Sequence, residues 1–328
     1  MSGDELPLLE YAAIEAAARL IEGDVVRTPT VVSTGLSELL GVPVTVKLEL
    51  LQRTGSFKTR GAAAKLRSLD DAERAAGVVA VSGGNHGIAV AAMAAALGVK
   101  ATIVMPRSAP RRAVDIAGRH GAAVQLTTDV TEAFALGVRL QSEGLMLIHP
   151  FDDPDVVAGQ GTVGRELAED AGPLTDVLVS IGGGGLISGI AVALRALRPG
   201  VRIWGVETEG SESMARALAA GGPVPIVPSS VVTTLSPPAV APLTYAHTRA
   251  LVDDVLVVTD AEAVRGTLEL ADAAKVWTEP AAGCLLPAAR RVIERVGGDC
   301  RLGLVLCGGN ATVTDVLAWA DRFGVDRG

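Results

Sequence analysis

One lysine, Lys58, lies in the segment RTGSFKTRGA (residues 53–62), with a phenylalanine before it and glycines on both sides. Most lysines lie on solvated surfaces, because removing an ammonium group from water is costly unless another interaction compensates. Lys58 therefore needs a specific reason for its setting. The plain alternative is a surface lysine in an ion pair.

Two glycine-containing turns could bind anions. The segment SGGNHG begins at Ser82, between a predicted strand and an alanine-rich helix, so backbone N–H groups at the helix start can face a ligand. Asn85 and His86 add polar groups that a plain turn does not need. The alternative is an ordinary helix start capped by Ser82 or Asn85.

The second turn contains four consecutive glycines, Gly182 to Gly185, after the predicted strand TDVLVSI. Glycines let the backbone wrap a phosphate with N–H groups, and ordering four of them carries an entropy cost that a simple turn does not require. The turn lacks the lysine of a P-loop and the spacing of a dinucleotide fingerprint. It therefore predicts a phosphate-binding loop outside the nucleotide-binding classes.

Short β-branched runs alternate with helical patterns along the chain, which predicts an α/β fold with a doubly wound, mainly parallel open sheet. The predicted strands are residues 45–50, 77–82, 100–106, 122–127, 145–149, 175–181, 201–207 and 302–307. Cys307 ends the last strand, where a side chain can face a ligand at the sheet edge. A buried, apolar role for this cysteine is the alternative. The proline-rich residues 221–242 are expected to form an extended surface connection.

Composition favours small-molecule chemistry. The chain has 328 residues, a net charge of −8 and no basic run, which argues against nucleic-acid or anionic-membrane partners. The uncharged stretches 78–99 and 177–194 are interrupted by glycine-rich turns and are not membrane spans. Residues 1–20 predict an amphipathic helix without a secretory signal, hence a cytoplasmic protein. The three cysteines have no disulfide or zinc spacing and are expected to be free thiols.

These features together resemble the fold-type-II pyridoxal-phosphate enzymes, specifically the serine/threonine dehydratase and serine racemase group. The resemblance spans nearly the whole chain and implies two doubly wound sheets of the tryptophan synthase β type. Its marks are GSFKTRGA around Lys58, SGGNHG at 82–87, HPFDDPDVVAGQGT at 149–162, GGGGL at 182–186, EPAAG at 279–283 and CGGN at 307–310.

The resemblance implies a role for each of these segments. Lys58 would form the Schiff base with pyridoxal 5′-phosphate, beside Phe57 as a wall of the ring site. Asn85 would donate a hydrogen bond to the phenolic oxygen of the cofactor. The loop Gly182, Gly183, Gly184 and Gly185 would bind the phosphate, and Cys307 would face the pyridine nitrogen.

The implied substrate is an amino acid whose carboxylate binds at Ser82, Gly83, Asn85 and His86. Lys58 would then remove the α-proton from L-threonine or L-serine. Loss of the β-hydroxyl, assisted by the cofactor phosphate, would give a 2-oxo acid and ammonia. Glu279, which opens EPAAG, is expected to support the ring site from behind.

The chain departs from the family pattern at several positions. Gly83 replaces the serine that donates a proton in racemases, so efficient racemisation is not expected. The segment Val232, Thr233 and Thr234 aligns with an Ala-Asp-Gly turn near the cofactor. Phe134 falls where racemases carry a carboxylate-binding arginine.

A divalent cation site is doubtful on the same comparison. Glu207 matches the first acidic ligand of relatives, whereas Ser211 and Ser213 fall at the carbonyl and the second acid. Glu209 and Glu212 could substitute, but solvated carboxylates are the simpler interpretation.

Alternatives remain on the same fold. A serine racemase-like or cysteine-synthase-like β-replacement enzyme would use the same cofactor, and a non-catalytic phosphometabolite-binding protein would leave Lys58 unexplained.

The family implies a homodimer. It also implies a large cofactor-binding domain of residues 1–70 and 150–328, and a small mobile domain of residues 71–149.

Overall fold

The computed structural model describes residues 7–326. The predicted N-terminal helix is present as Tyr11–Leu20, and residues 1–6 of that prediction lie outside the described residues. Helix Tyr11–Leu20 buries Ile14 and Ala17 on one face. Its opposite face carries charged residues, as expected for a surface helix.

Ten strands are present in the described part of the chain. They are β1 (Thr30–Val32), β2 (Val44–Leu48), β3 (Val78–Val81), β4 (Ala101–Pro106), β5 (Ala123–Thr127), β6 (Met146–Leu147), β7 (Asp176–Ser180), β8 (Arg202–Thr208), β9 (Asp254–Val258) and β10 (Leu302–Leu306). Each of the eight predicted strand segments overlaps one of these strands. The sequence analysis missed β1 and β9.

Fifteen α-helices connect and cover these strands within residues 7–326. They are α1 (Tyr11–Leu20), α2 (Thr34–Leu40), α3 (Lys58–Ser68), α4 (Asp71–Ala76), α5 (Asn85–Ala96), α6 (Arg111–Arg119), α7 (Val130–Ser142), α8 (Pro154–Asp170), α9 (Gly185–Leu197), α10 (Ser213–Ala220), α11 (Pro242–Leu251), α12 (Asp260–Glu269), α13 (Pro280–Gly283), α14 (Leu285–Val296) and α15 (Val313–Phe323). In this part of the chain, no helix has both the length and the apolar character needed to cross a membrane.

The strands form two sheets. The larger has the order β1-β2-β10-β7-β8-β9 and is parallel except for the antiparallel edge strand β1. The smaller has the order β5-β4-β3-β6 and is parallel throughout. Parallel strands need crossover helices that cover the sheet faces. The prediction of two doubly wound, mainly parallel sheets is confirmed.

The strand order creates one topological switch point in each sheet. In the larger sheet the chain proceeds outward from β7 through β8 to β9, and then returns to place β10 on the other side of β7. In the smaller sheet β3 has β4 on one side and β6 on the other. Loops after β7, β10 and β3 therefore flank crevices, which is where open α/β sheets bind ligands.

Each sheet has its own buried apolar cluster. The cluster under the smaller sheet also takes in side chains from α1 and α3, such as Ala17 and Leu66. The proposed division of the chain into residues 1–70 with 150–328, and 71–149, stays a prediction. So does the mobility of the smaller part.

Residues 221–242 agree in large part with the expectation of a surface connection, since most of them are exposed or half-buried. Much of this segment is irregular, but Thr233–Leu235 form a short 3₁₀ turn. Val232 and Leu235 are buried in the core of the larger sheet. Thr233 and Thr234 are exposed, so the segment stays at the surface and is anchored to the core by Val232 and Leu235.

Beneath the start of α3 lies a buried network of four charged side chains. Arg60 donates to both carboxylate oxygens of Glu49, each at 2.8 Å, and to Glu166 at 2.7 and 2.8 Å. Lys47 donates to the same Glu166 at 2.6 Å. Two cations thus balance two carboxylates, and all four residues are buried. Such a group is stable only while every member keeps its partners.

We predict that Arg60→Met lowers the free energy of unfolding by about 3–5 kcal/mol, since it leaves two buried carboxylates with too few partners. The matched control is Arg216→Met, because Arg216 pairs with Glu212 and its side chain is 59% exposed. Losing that exposed pair should cost less than about 1 kcal/mol. Urea unfolding of both variants measures the two effects, and equal losses would contradict this account of the network.

Candidate active site

Lys58 is the first residue of α3, and its amine lies close to the Pro150 carbonyl and the Phe57 ring. Its Nζ donates a hydrogen bond to the Pro150 carbonyl at 2.8 Å and lies 5.1 Å from the centre of the Phe57 ring. Phe57 itself is held by its N–H, which donates to the Cys307 carbonyl at 3.0 Å. The amine is therefore placed where the α3 start meets the end of β10.

The surroundings of Lys58 favour its neutral form. Burial lowers the pKa of the Lys58 amine to about 8, and the negative charges that Cys307 and Glu279 could carry oppose this shift only in part. Near neutral pH the unprotonated fraction of the amine is therefore much larger than in a solvated lysine. An unprotonated amine can act as a nucleophile or a base.

The glycine-rich loop after β7 leads directly into α9. Gly184 has a φ of +88°, a left-handed conformation that favours glycine, and a β-carbon there would lie 2.8 Å from Cβ of Thr244. No described side chain caps the N-terminus of α9. The first N–H groups of the helix are therefore left for a ligand, and an anion is the favoured one.

The loop after β3 has the same design. Helix α5 begins at Asn85, and no side chain within residues 7–326 caps it. The Ser82 side chain forms a hydrogen bond within the loop, because its Oγ accepts from the N–H of Gly84 at 3.2 Å. Gly83 is closely packed, because a β-carbon there would lie 2.8 Å from Cβ of Ala109. This second helix start also suits an anion.

His86 is buried and uncharged. Its Nε2 lies 2.8 Å from the Ile148 carbonyl, which can only accept, so Nε2 carries the proton and donates. Burial, together with the charge of Lys58, lowers the pKa of His86 to about 3. His86 therefore fixes the loop to the strand end at Ile148 and holds no charge at neutral pH.

Asn85 has both halves of its amide engaged. Its Nδ2 donates to the Glu279 carboxylate at 2.9 and 3.1 Å, and its Oδ1 accepts from Nδ2 of Asn310 at 2.7 Å. The N–H of Asn310 also donates to Glu279 at 3.3 Å. Burial raises the pKa of Glu279, while hydrogen bonds from Asn85, Asn310 and Thr234 partly offset the rise. Glu279 thus orients Asn85 from behind.

Cys307 immediately follows β10 and is buried. Its Sγ lies 4.0 Å from Oγ of Ser180, and Cys284 contacts the same hydroxyl at 3.8 Å. Burial raises the pKa of the Cys307 thiol well above its ordinary value. A neutral thiol is therefore offered to the site. The prediction of free thiols is confirmed, since Cys284, Cys300 and Cys307 are all unpaired with one another.

These residues suit pyridoxal phosphate chemically. The cofactor needs an amine for covalent attachment, a cradle for a phosphate and a partner for the ring nitrogen. Lys58, the Gly182–Gly185 loop and Cys307 are of the required types, and they follow α/β elements that share one crevice. Asn85 and Glu279 border a cleft that also reaches Thr234, Arg112 and Trp319. The individual roles of the predicted site residues stay predictions.

Several residues of this region were not singled out by sequence reasoning. Pro150 and Phe151 belong to HPFDD, and Asn310 belongs to CGGN, both of which mark the family resemblance. Their contacts with Lys58, Gly183 and Asn85 appear only in three dimensions. Phe134, by contrast, lies on α7 and is 43% exposed.

Glu207 is the one residue that matches a ligand of the doubtful cation site, and its contacts do not fit that role. Its two carboxylate oxygens accept from the N–H groups of Met214 and Ala215, each at 2.8 Å. Burial raises the pKa of Glu207 to about 7. No group of three or more His, Cys, Asp or Glu residues that could hold a metal ion occurs among the described residues. Glu207 instead holds the start of α10.

We predict that millimolar Mg²⁺ or Ca²⁺ and an excess of chelator give melting temperatures that agree within about 1 °C, since an ion that does not bind the folded chain adds no stability. Ser213→Asp would place a second carboxylate beside Glu207 and should make the melting temperature cation-dependent. Ser213→Asn, similar in size but neutral, is the control. Cation stabilisation of the unmodified protein would contradict this interpretation.

The chain is similar to known pyridoxal-phosphate dependent enzymes. The family model described as pyridoxal-phosphate dependent enzyme matches residues 21–308. An L-threo-3-hydroxyaspartate ammonia-lyase from a Pseudomonas species is 39% identical over 94% of this chain and 97% of its own. An L-threonine ammonia-lyase from Thermotoga maritima is 38% identical over 92% of this chain and 75% of its own.

A solved structure of maize serine racemase superposes with a TM-score of 0.89 at 32% identity, covering 96% of this chain and 98% of that one. The fold class and the cofactor predicted from the sequence are both confirmed by these matches. The chain belongs to the family of pyridoxal-phosphate dependent enzymes.

Proposed function

We propose that this protein is an ammonia-lyase that converts a 3-hydroxy amino acid, L-threonine, L-serine or a related compound, to a 2-oxo acid and ammonia. The observation that carries the proposal is the Lys58 amine, whose pKa is lowered to about 8 between two helix starts that no described side chain caps. Relatives named as ammonia-lyases support the reaction class.

Binding is assigned to the backbone of the two loops. The N–H groups at the start of α9, after Gly182–Gly185, would hold the phosphate of the cofactor, and those at the start of α5 would hold the substrate carboxylate. Ser82, Gly83, Asn85 and His86 form the second of these sites. His86 is neutral, so it adds a fixed dipole without a charge that would vary with pH.

The cofactor, when bound, withdraws electrons from the α-carbon of an attached amino acid and so makes the α-proton removable. Lys58 would be the covalent attachment point in the resting enzyme and the base that accepts this proton. The β C–O bond breaks and water leaves. Hydrolysis of the released enamine then consumes one water and releases ammonia, so the water lost in the elimination is offset and the net change is amino acid to 2-oxo acid plus ammonia.

Cys307 and Asn85 would tune the ring. A buried neutral thiol at the pyridine nitrogen leaves that nitrogen without the full cationic charge that a carboxylate partner would impose, which favours elimination over transamination. Asn85, oriented by Glu279 and Asn310, would donate to the phenolic oxygen. Phe57 would wall the ring beside Lys58.

Serine racemase activity is the second candidate, favoured by the likeness to maize serine racemase. Gly83 argues against it, because the glycine has no side chain to donate a proton to the opposite face of the α-carbon. A β-replacement synthase would use the same cofactor site.

We further propose a cytoplasmic homodimer whose smaller part, residues 71–149, moves over the cofactor when substrate binds.

We predict that borohydride reduction of the protein loaded with pyridoxal phosphate fixes the cofactor mass on the peptide containing Lys58. Lys58→Ala should lose this adduct and release ammonia from threonine or serine about 10²–10⁴-fold more slowly, the range for a lost acid-base group. Lys100→Ala, which changes an exposed lysine, is the control. An adduct on another lysine, or no adduct, would refute the assignment.

The pH dependence of cofactor attachment tests the electrostatics. Only the neutral amine attacks the aldehyde, so the attachment rate should rise with pH and level off above about 8, the pKa that burial gives Lys58. A solvated lysine would continue to gain rate up to about pH 10.4. Stopped-flow absorbance with the apoprotein measures the profile, and N-acetyl-lysine provides the solvated reference. A rate still rising at pH 10 would show that the amine is not desolvated.

A further inference from the structure

The segment His149–Phe151 lies between the two groups that would anchor the cofactor. At one end the Pro150 carbonyl accepts from Nζ of Lys58 at 2.8 Å. At the other end the Phe151 ring lies directly against Gly183, where a β-carbon would be only 2.0 Å from Cδ1 of the ring. No real β-carbon tolerates such a distance. One short turn therefore touches both anchors.

The turn is held rigidly by its own contacts. Nδ1 of His149 accepts from the N–H of Asp152 at 2.7 Å and from that of Phe151 at 3.3 Å. The rings of His149 and Phe151 pack edge to face, with centres 4.8 Å apart and planes at 82°. His149 is neutral, because burial lowers its pKa.

Both ends of the turn are also tied to regular structure. Just before it, the Ile148 carbonyl accepts from His86, and the Ile148 N–H donates to Val79 of β3. Just after it, the Asp153 carboxylate accepts from the N–H of Asp155 at 2.8 Å and caps α8. The turn cannot shift without disturbing the small sheet or α8.

We propose that His149–Phe151 is a spacer that sets the separation between the Lys58 amine and the phosphate-binding loop. Phe151 and the Pro150 carbonyl are the contact points, and His149 is a positioning residue that acts through them. The proposal rests on the proposed function, because it assigns the cofactor to Lys58 and Gly182–Gly185. It also gives a new reason for glycine at position 183, which is room for the Phe151 ring.

A spacer is needed because the loop contains four glycines. Each glycine has many accessible backbone conformations when it is free, so ordering the loop for a ligand carries an entropy cost. A flat ring packed on Gly183 orders the loop before the ligand arrives. Preorganisation of this kind raises affinity without adding a contact to the ligand. It also keeps the attached amine and the phosphate at one fixed distance.

A double-mutant cycle tests the proposal. Gly183 has no positive φ, so alanine does not strain the backbone there, and the three atoms nearest to its β-carbon all belong to the Phe151 ring. Gly183→Ala should therefore weaken cofactor binding, and adding Phe151→Ala should recover at least about tenfold of the loss, as expected for directly contacting residues. Titration of the apoprotein with pyridoxal phosphate, followed by absorbance, gives the dissociation constants.

The neighbouring glycine provides the matched control. Gly184 has a φ of +88°, and its β-carbon would meet Thr244 and Met214 instead of Phe151. Phe151→Ala should therefore give no recovery to Gly184→Ala. If Phe151→Ala rescues neither glycine variant, or both equally, the spacer is refuted. If the unmodified protein binds no pyridoxal phosphate, the proposed function itself fails.

His149 is tested by rescue. His149→Ala removes the acceptor that holds the turn and should weaken cofactor binding about tenfold. The melting temperature of the apoprotein is compared in parallel, to separate this loss from a general loss of stability. His149→Asn retains an acceptor that can bond N–H groups two and three residues ahead, as in an Asx turn, and should restore most of the affinity. Equal loss in both variants would exclude the positioning role of His149.

Discussion

The buried group of Arg60, Glu49, Glu166 and Lys47 is the constraint on which the geometry of the site depends. It joins β2, the turn after β2, α3 and α8 through buried charges. Arg60 is two residues beyond Lys58, so the bonds that hold Arg60 also hold the first turn of α3. Removing one partner would leave an uncompensated charge in the interior, which is strongly destabilising. The network therefore restrains the turn of α3 that carries the reactive amine.

Around the amine, the chain avoids fixed charge. His86 is kept neutral, the Cys307 thiol is held protonated, and the pKa of Glu279 is raised, in each case mainly by burial. Anions are instead offered backbone N–H groups at helix starts. This arrangement keeps electrostatic interactions strong, because few mobile charges or waters compete with them.

Much of the fold could be predicted because its central strands are short β-branched runs between helical patterns. Strand β1 was missed because Thr30–Val32 is short, and Val32 is 72% exposed at the sheet edge. Strand β9 was missed because the sequence LVDDVLVV puts two aspartates at its start. Residues 221–242 are largely exposed or half-buried, as their prolines predicted, but the local pattern does not reveal that Val232 and Leu235 pack into the core.

The candidate site, like the fold, was predicted only in part from the sequence. Lys58, the glycine loop and Cys307 stand out by residue type and by their place after strands, and the family resemblance assigned their roles. Asn310, Pro150 and Phe151 carry no such local signal. They matter because chain crossings bring Asn310 to Asn85 across 225 positions and Pro150 to Lys58 across 92. Contacts of that range depend on the topology as a whole.

Three helices, α3, α5 and α9, begin at Lys58, Asn85 and Gly185 around this crevice. Each helix start carries a partial positive charge from its aligned peptide dipoles. An ammonium at the first position of α3 is therefore disfavoured by the helix that bears it, in addition to the effect of burial. The same convergence of dipoles gives the crevice a positive potential built from main chain alone, one that no change of pH within the stability range of the fold can titrate away.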